Sequence, residues 1–260
     1  MALSFDPNQN YYYFKSNKTL PLVFIHGVGL DHQMWGPQLK QLNDFSILTY
    51  DLLGHGKTPL KQDKVTLKDF SDQLRSILDY LKLTKIDLIG FSLGSLIALD
   101  FASTFQDRLN KLILIGTTYQ RSDGERSLVL DRFNQAKLNK PISKQALKRW
   151  FSDEYLKKNT KTYDLFMKIL DKTPEDHINF LKAYELFANH QDNKNSIQKI
   201  ITRTLVMTGS DDLGSTPNMS KELAKDLPNA NYIEIKGGKH LCSIECNDDV
   251  SMNIKNFINS

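Results

Sequence analysis

The chain has 260 residues, 40% of them hydrophobic and 25% charged, with a formal net charge of +4. That length holds one large domain or a core with an insertion, and the composition excludes disordered, fibrous and disulfide-scaffold classes. The charge is mild and unclustered, no leading segment reads as a secretory signal, and no apolar run reaches the roughly 18 residues of a membrane span. The expectation is therefore a cytoplasmic protein with neither nucleic acid nor membrane as partner.

In chain order, Leu3 to Phe5 and Tyr11 to Lys15, joined by Asp6-Pro7-Asn8, predict an antiparallel hairpin. Pro21 to Ile25 is a buried strand ending in His26-Gly27-Val28-Gly29. Phe45 to Tyr50 is the next strand, closed by Asp51-Leu52-Leu53-Gly54-His55-Gly56. Leu67, Phe70, Leu74, Ile77, Leu78 and Leu81 recur at helical spacing, so Thr66 to Leu83 predicts an amphipathic helix with Thr66 as its cap. Lys85 to Ile89 is a strand, Leu93 to about Thr104 a helix, and Lys111 to Ile115 another buried strand. From Thr117 to Ile200 strand-like runs stop and helical periodicity takes over, interrupted at Pro141 and Pro174. Then Thr204 to Thr208 resumes the strand pattern, Pro217 to Leu227 is a helix, Asn231 to Lys236 a strand, and Asp248 to Ile258 a closing helix. Strands alternating with helices imply an α/β fold with a mainly parallel sheet covered on both faces. The expected division is a core of residues 1–116 and 201–260 with a helical insertion at 117–200.

The chemistry gathers just after the strands, where a parallel sheet collects its sites. Gly90-Phe91-Ser92-Leu93-Gly94 between a strand and an apolar helix reads as a nucleophile elbow. Glycines flank the apex because a Cβ would strike neighbouring backbone, and the helix N-terminus beneath Ser92 favours an anion. His240 follows the last strand after Gly237-Gly238, free to reach Ser92 and take its proton. A carboxylate to orient that imidazole belongs after the preceding strand, where Asp211 and Asp212 both stand; spacing from Gly209 favours Asp212. His26-Gly27-Val28-Gly29 lacks the third glycine of a dinucleotide fingerprint and reads instead as an oxyanion loop, the N–H groups of Val28 and Leu93 converging on a developing alkoxide. His26 and His55 read as loop braces and Asp51 as a structural tie. His32, with Met34 and Trp35, is expected at the pocket mouth. The two cysteines, Cys242 and Cys246, make neither a disulfide scaffold nor, with His240, a four-ligand metal site, so no metal is expected.

These four motifs together resemble the α/β-hydrolase superfamily, from the His26 loop to the closing helix. Within it the chain looks most like the 3-oxoadipate enol-lactonase branch, through Arg149-Trp150-Phe151 and Tyr184-Glu185-Leu186-Phe187-Ala188. The resemblance implies a helical lid over Ser92 and no cofactor; Trp150, Phe151, Tyr184 and Phe187 are its candidate pocket residues, with plain helix core as the alternative reading for most of them. It also implies hydrolysis of a small ester or lactone, which would be the chain's small-molecule partner. Carbon–carbon bond hydrolysis, a haloperoxidase-like activity and a non-catalytic ligand-binding relative remain compatible alternatives. One departure from the family's commonest spacing sets Pro217 one residue further from Asp212. Nothing in the sequence fixes the oligomeric state.

Overall fold

The computed structural model describes residues 2–138 and 143–260. Eight strands, β1 (Ala2–Phe5), β2 (Tyr11–Lys15), β3 (Leu22–Ile25), β4 (Ile47–Tyr50), β5 (Ile86–Phe91), β6 (Leu109–Ile115), β7 (Arg203–Gly209) and β8 (Ala230–Ile235), form one sheet. Its order is β1-β2-β4-β3-β5-β6-β7-β8. The β1–β2 and β2–β4 pairs are antiparallel and every other pair is parallel. The central strands are apolar on both sides. Leu22 and Phe24 enter one core cluster while Val23 and Ile25 enter the other, and Leu88 and Ile89, Leu112 and Ile113, Val206 and Met207 divide the same way. A sheet with a period of two and no polar face must be covered twice.

The helices are α1 (Gly36–Gln41), α2 (Leu67–Tyr80), α3 (Leu93–Thr104), α4 (Asp123–Lys137), α5 (Ser143–Trp150), α6 (Asp153–Lys158), α7 (Thr160–Leu170), α8 (Pro174–Asn189), α9 (Lys194–Ile197), α10 (Pro217–Asp226), α11 (Cys242–Glu245) and α12 (Asn247–Asn259). Buried side chains of α2, α3 and α10 share one cluster; those of α12 and the Trp35–Leu42 region share the other. The α2 boundary shows why the helix is shorter than its periodicity. Thr66 and Asp69 close a capping box at its start. At its end Lys82 adopts φ 57° and the Leu83 N–H returns to Leu78 O, which stops the helix before Leu83.

Helices α4 to α9 lie between β6 and β7, and Pro174 starts α8 at its first turn instead of interrupting it. Pro141 lies outside the described residues. A short 3-10 turn, His32–Trp35, and α1 follow β3, where sequence periodicity was too brief to mark them.

Candidate active site

Strand β5 ends at Phe91 and α3 begins at Leu93, so Ser92 alone turns the chain, at φ 53° and ψ −115°. A non-glycine residue holds that conformation only when its surroundings enforce it. Here they do: a Cβ on Gly90 would sit 2.3 Å from Gly94 O, and one on Gly94 2.3 Å from Ile25 O. Two strands and a helix therefore close on the turn with no side chain between them. The Ser92 side chain makes no capping bond to α3. The neighbouring Ser95 hydroxyl is committed, donating to Gly90 O at 2.8 Å.

His240 Nε2 lies 3.3 Å from Ser92 Oγ, and His240 Nδ1 lies 2.7 Å from Asp212 Oδ2. The other oxygen of Asp212 accepts the N–H groups of Gly214 and Ser215, at 2.8 and 2.9 Å. A carboxylate that accepts at both oxygens leaves Nδ1 as the protonated nitrogen and Nε2 as the acceptor facing Ser92. The imidazole also packs against Phe91, ring centroids 4.9 Å apart. Asp211 is exposed and takes the Ser210 hydroxyl instead. The longer loop before Pro217 thus leaves the Asp212 carboxylate seated by its own turn.

Two histidines hold the loop beside Ser92. His26 Nδ1 donates to Gly27 O at 2.8 Å while its Nε2 accepts from Leu52 N. His55 Nε2 accepts from Gly29 N at 3.0 Å and its Nδ1 faces Leu53 O. Each ring must be neutral to donate at one nitrogen and accept at the other. Burial, the largest influence on both, lowers their pKa values accordingly, that of His55 well below the ordinary value. Gly27 is pressed against Ser92: a Cβ there would lie 3.3 Å from the Ser92 Cβ and 3.0 Å from the Phe91 ring. The N–H groups of Val28 and Leu93 donate to no protein acceptor among the described residues. For Leu93 this follows from its place at the first turn of α3.

Above Ser92 is a cavity of about 320 Å³, walled by the strand-end loops and by α4, α5 and α8. Val28, Ser92, Asp212, His240, Trp150, Tyr184 and Phe187 line it. Three residues expected at the pocket are elsewhere. Trp35 is fully buried in the core against Phe24 and Phe91. Phe151 is fully buried, stacked on Tyr155 and edge-on to Phe166. His32 turns to Asp51, its Nδ1 2.7 Å from that carboxylate. Burial opposes its protonation, but the bond and charge of Asp51 prevail and raise its pKa. Asp51 also accepts the His32 and Lys57 N–H groups, the structural tie expected of it.

The wall contains groups no sequence pattern marked: Arg132 on α4, Phe180 on α8, and Leu128 and Leu213 at the rim. Arg132 and Arg149 make no hydrogen bond or ion pair among the described residues, whereas Arg108, Arg121 and Arg126 are occupied by Asp79, Phe187 O and His190 O. Partial desolvation, then repulsion from Arg132, lowers the Arg149 pKa. Helical spacing places such residues on a helix but does not say which neighbouring element their face meets.

A mainly parallel sheet whose strand turns through a lone serine into a buried helix is the architecture of α/β hydrolases. The chain belongs to that family: the alpha/beta hydrolase fold model matches residues 21–245. It is 26% identical over 256 residues to the (E)-2-((N-methylformamido)methylene)succinate hydrolase of Acinetobacter baylyi, covering 96% of this chain and 94% of that one. It is 27% identical over 229 residues to 3-oxoadipate enol-lactonase 1 of the same organism, covering 86% of this chain and 83% of that one. Among solved structures, the enol-lactonase from Burkholderia xenovorans LB400 matches with a TM-score of 0.87 at 22% identity, over 97% of this chain and 98% of that one. The chain is thus a hydrolase-family enzyme resembling the enol-lactonase branch. No helix among the described residues is long and apolar enough to cross a membrane.

Proposed function

We propose that the protein hydrolyses a small carboxylic ester or lactone that carries a further carboxylate, with Ser92 as nucleophile, His240 as base and Asp212 as the group that orients it. The observation that carries the reading is the hydrogen-bonded series Ser92, His240, Asp212 at the floor of a closed-in cavity. Ser92 Oγ attacks the carbonyl carbon as its proton passes to His240 Nε2, and Asp212 stabilises the imidazolium. The carbonyl oxygen becomes an alkoxide facing the free N–H groups of Val28 and Leu93. An oxyanion donor of this kind contributes roughly 3–4 kcal/mol to lowering the barrier. The tetrahedral intermediate collapses, His240 returns its proton to the leaving alkoxide, and an acyl-enzyme remains. Water, deprotonated by the same imidazole, attacks the acyl carbon; as the second tetrahedral intermediate collapses, the acid product leaves and Ser92 Oγ takes the proton back from His240.

Residues 117–200 serve as the lid in this reading. Trp150, Tyr184 and Phe187 supply apolar wall, and Arg132 with Arg149 supply two positive charges that meet no acid among the described residues. Two unpaired guanidiniums in one cavity favour an anionic ligand. The names of two relatives fit this, since succinate and 3-oxoadipate are both carboxylates. The deciding experiment is a turnover screen of neutral and carboxylated esters, lactones and vinylogous diketones, run beside Ser92→Ala. Carboxylated esters or lactones should rank first and Ser92→Ala should be inactive. Diketones ranking first would make this a carbon–carbon hydrolase. A single turnover with retained product would make it a binding protein.

A further inference from the structure

Val28 is the third residue after β3, in the loop beside Ser92, and its N–H belongs to the same peptide plane as the Gly27 carbonyl. In a trans peptide the two point in opposite directions, so whatever holds Gly27 O aims Val28 N–H. Gly27 O accepts from Leu30 N at 3.2 Å, besides His26. The Leu30 N–H in turn shares a plane with Gly29 O, and Gly29 O accepts the ammonium of Lys172 at 3.1 Å. Lys172 stands in the turn between α7 and α8, in the helical insertion, and does not line the cavity. The other hydrogen bond of the ammonium among the described residues is to Ile169 O in its own turn, and it lies 5.6 Å from the Phe180 ring centroid. Burial pushes its pKa below the ordinary lysine value, and Asp31, Asp176 and Asp51 act against that through space, with no ion pair among the described residues. Gly29 itself, at φ +77°, lies so close to Phe180 that a Cβ would come within 3.0 Å of the ring.

The donors and acceptors therefore run in one direction. The Lys172 ammonium donates to Gly29 C=O, the Leu30 N–H of that peptide donates to Gly27 C=O, and the Val28 N–H of that second peptide is left free. Hydrogen bonds in series polarise one another, and a cation at the head of the series strengthens the donor at its tail. We propose that Lys172 is a positioning residue of the oxyanion hole: from the helical insertion it caps a two-peptide relay that aims and polarises the Val28 N–H. The proposal rests on the reading of Ser92 as nucleophile and Val28 as an oxyanion donor. Its consequence is that the insertion, besides shaping the pocket, sets the strength of one donor in the core without touching substrate. A substrate-binding lysine would act on KM; this one acts on the transition state, in which the oxygen carries its charge.

The test compares Lys172→Met, which keeps the stem and removes the donor, with Lys172→Arg, which keeps a donor and a charge. A p-nitrophenyl short-chain ester is the substrate, at about pH 8, where His55 is neutral with or without the neighbouring ammonium. Rates are taken per site titrated to completion with a fluorophosphonate, so that a loss of folded protein does not count. Lys172→Met should lower kcat about tenfold, less than the roughly 10²–10³-fold of deleting a donor outright, with KM within about twofold. Its inhibition by a trifluoromethyl ketone, which forms a tetrahedral alkoxide on Ser92, should weaken by the same factor as kcat/KM. Lys172→Arg should recover most of both. An unchanged kcat per titrated site, or a loss confined to KM, overturns the proposal while leaving Ser92 in place. Turnover that survives Ser92→Ala overturns the underlying reading instead.

Discussion

His240 Nδ1 stands 2.7 Å from one oxygen of Asp212, and the other oxygen of that carboxylate is held by Gly214 and Ser215 N–H groups of its own turn. Asp211, one residue earlier, points to solvent and meets Ser210. Asparagine at 212 would keep an oxygen for the turn and offer an amide to the histidine, so folding survives while the tautomer is lost. Asp212→Asn should reduce turnover by up to about 10⁴-fold, and Asp211→Asn should leave it within about threefold. Steady-state kinetics of the two variants decide it; the reverse ranking reassigns the orienting acid.

How much of this could be read from the chain depends on the range of the interaction. The elbow, the β5 and β7 strands and the Thr66 cap were legible because each is set by residues within one turn or one pleat. The order Ser92, Asp212, His240 was legible because a parallel sheet delivers successive strand ends to one edge. Trp35 and Phe151 were misplaced for a physical reason. A large aromatic near a pocket and one in the adjoining core have the same local pattern, and only packing separates them. Arg132 and Lys172 left no mark, because a lone cation on a helix or turn reads as solvated until its neighbour is known.

The close approach at the elbow makes a stability prediction. A methyl on Gly94 would meet the Ile25 carbonyl at 2.3 Å, and neither the strand nor the helix can retreat without breaking the sheet. Gly94→Ala should cost about 3 kcal/mol or more. Gly124, exposed in the first turn of α4 with nothing within 4 Å of a Cβ, is the contrast. Gly124→Ala should stabilise by about 0.4–1 kcal/mol. Urea denaturation of both variants checks the pair; equal midpoints would deny that the Gly94 contact is tight.

The loop histidines make stability depend on pH in a definite direction. Burial is the largest influence on His55 and His26, and both pKa values fall below the ordinary 6.5. Their contribution is therefore complete above about pH 6.5 and is lost as pH falls below it. His32 has a raised pKa, so its contribution is present below the ordinary value and fades as pH rises. Glutamine at 55 retains an acceptor for the Gly29 N–H and does not titrate. Between about pH 7.5 and about pH 5, Tm should fall more in the wild type than in His55→Gln. Parallel declines in calorimetry would mean that His55 does not titrate in folding.

The two uncommitted arginines give the last prediction. Arg132 comes from α4 and Arg149 from α5, and both reach the cavity above Ser92. No acid neutralises either among the described residues, so the wall keeps a net positive charge until an anionic ligand arrives. A charge-assisted hydrogen bond to a substrate carboxylate contributes about 1.5–3 kcal/mol, which corresponds to roughly 10- to 150-fold in kcat/KM. Arg149→Met should therefore lower kcat/KM by about that factor for a carboxylated ester or lactone, while a neutral ester of the same shape changes by less than about threefold. Arg132→Met should act in the same direction, and the double variant should lose the preference for the anion altogether. The loss should fall mainly on KM, because the carboxylate is charged before and during reaction alike. Lys148 and Lys239 also stand at the cavity and provide the control. If Lys148→Met or Lys239→Met carries the selective loss and the arginine variants do not, the lysines hold the anion instead. If all four variants treat charged and neutral substrates alike, the ligand is not an anion.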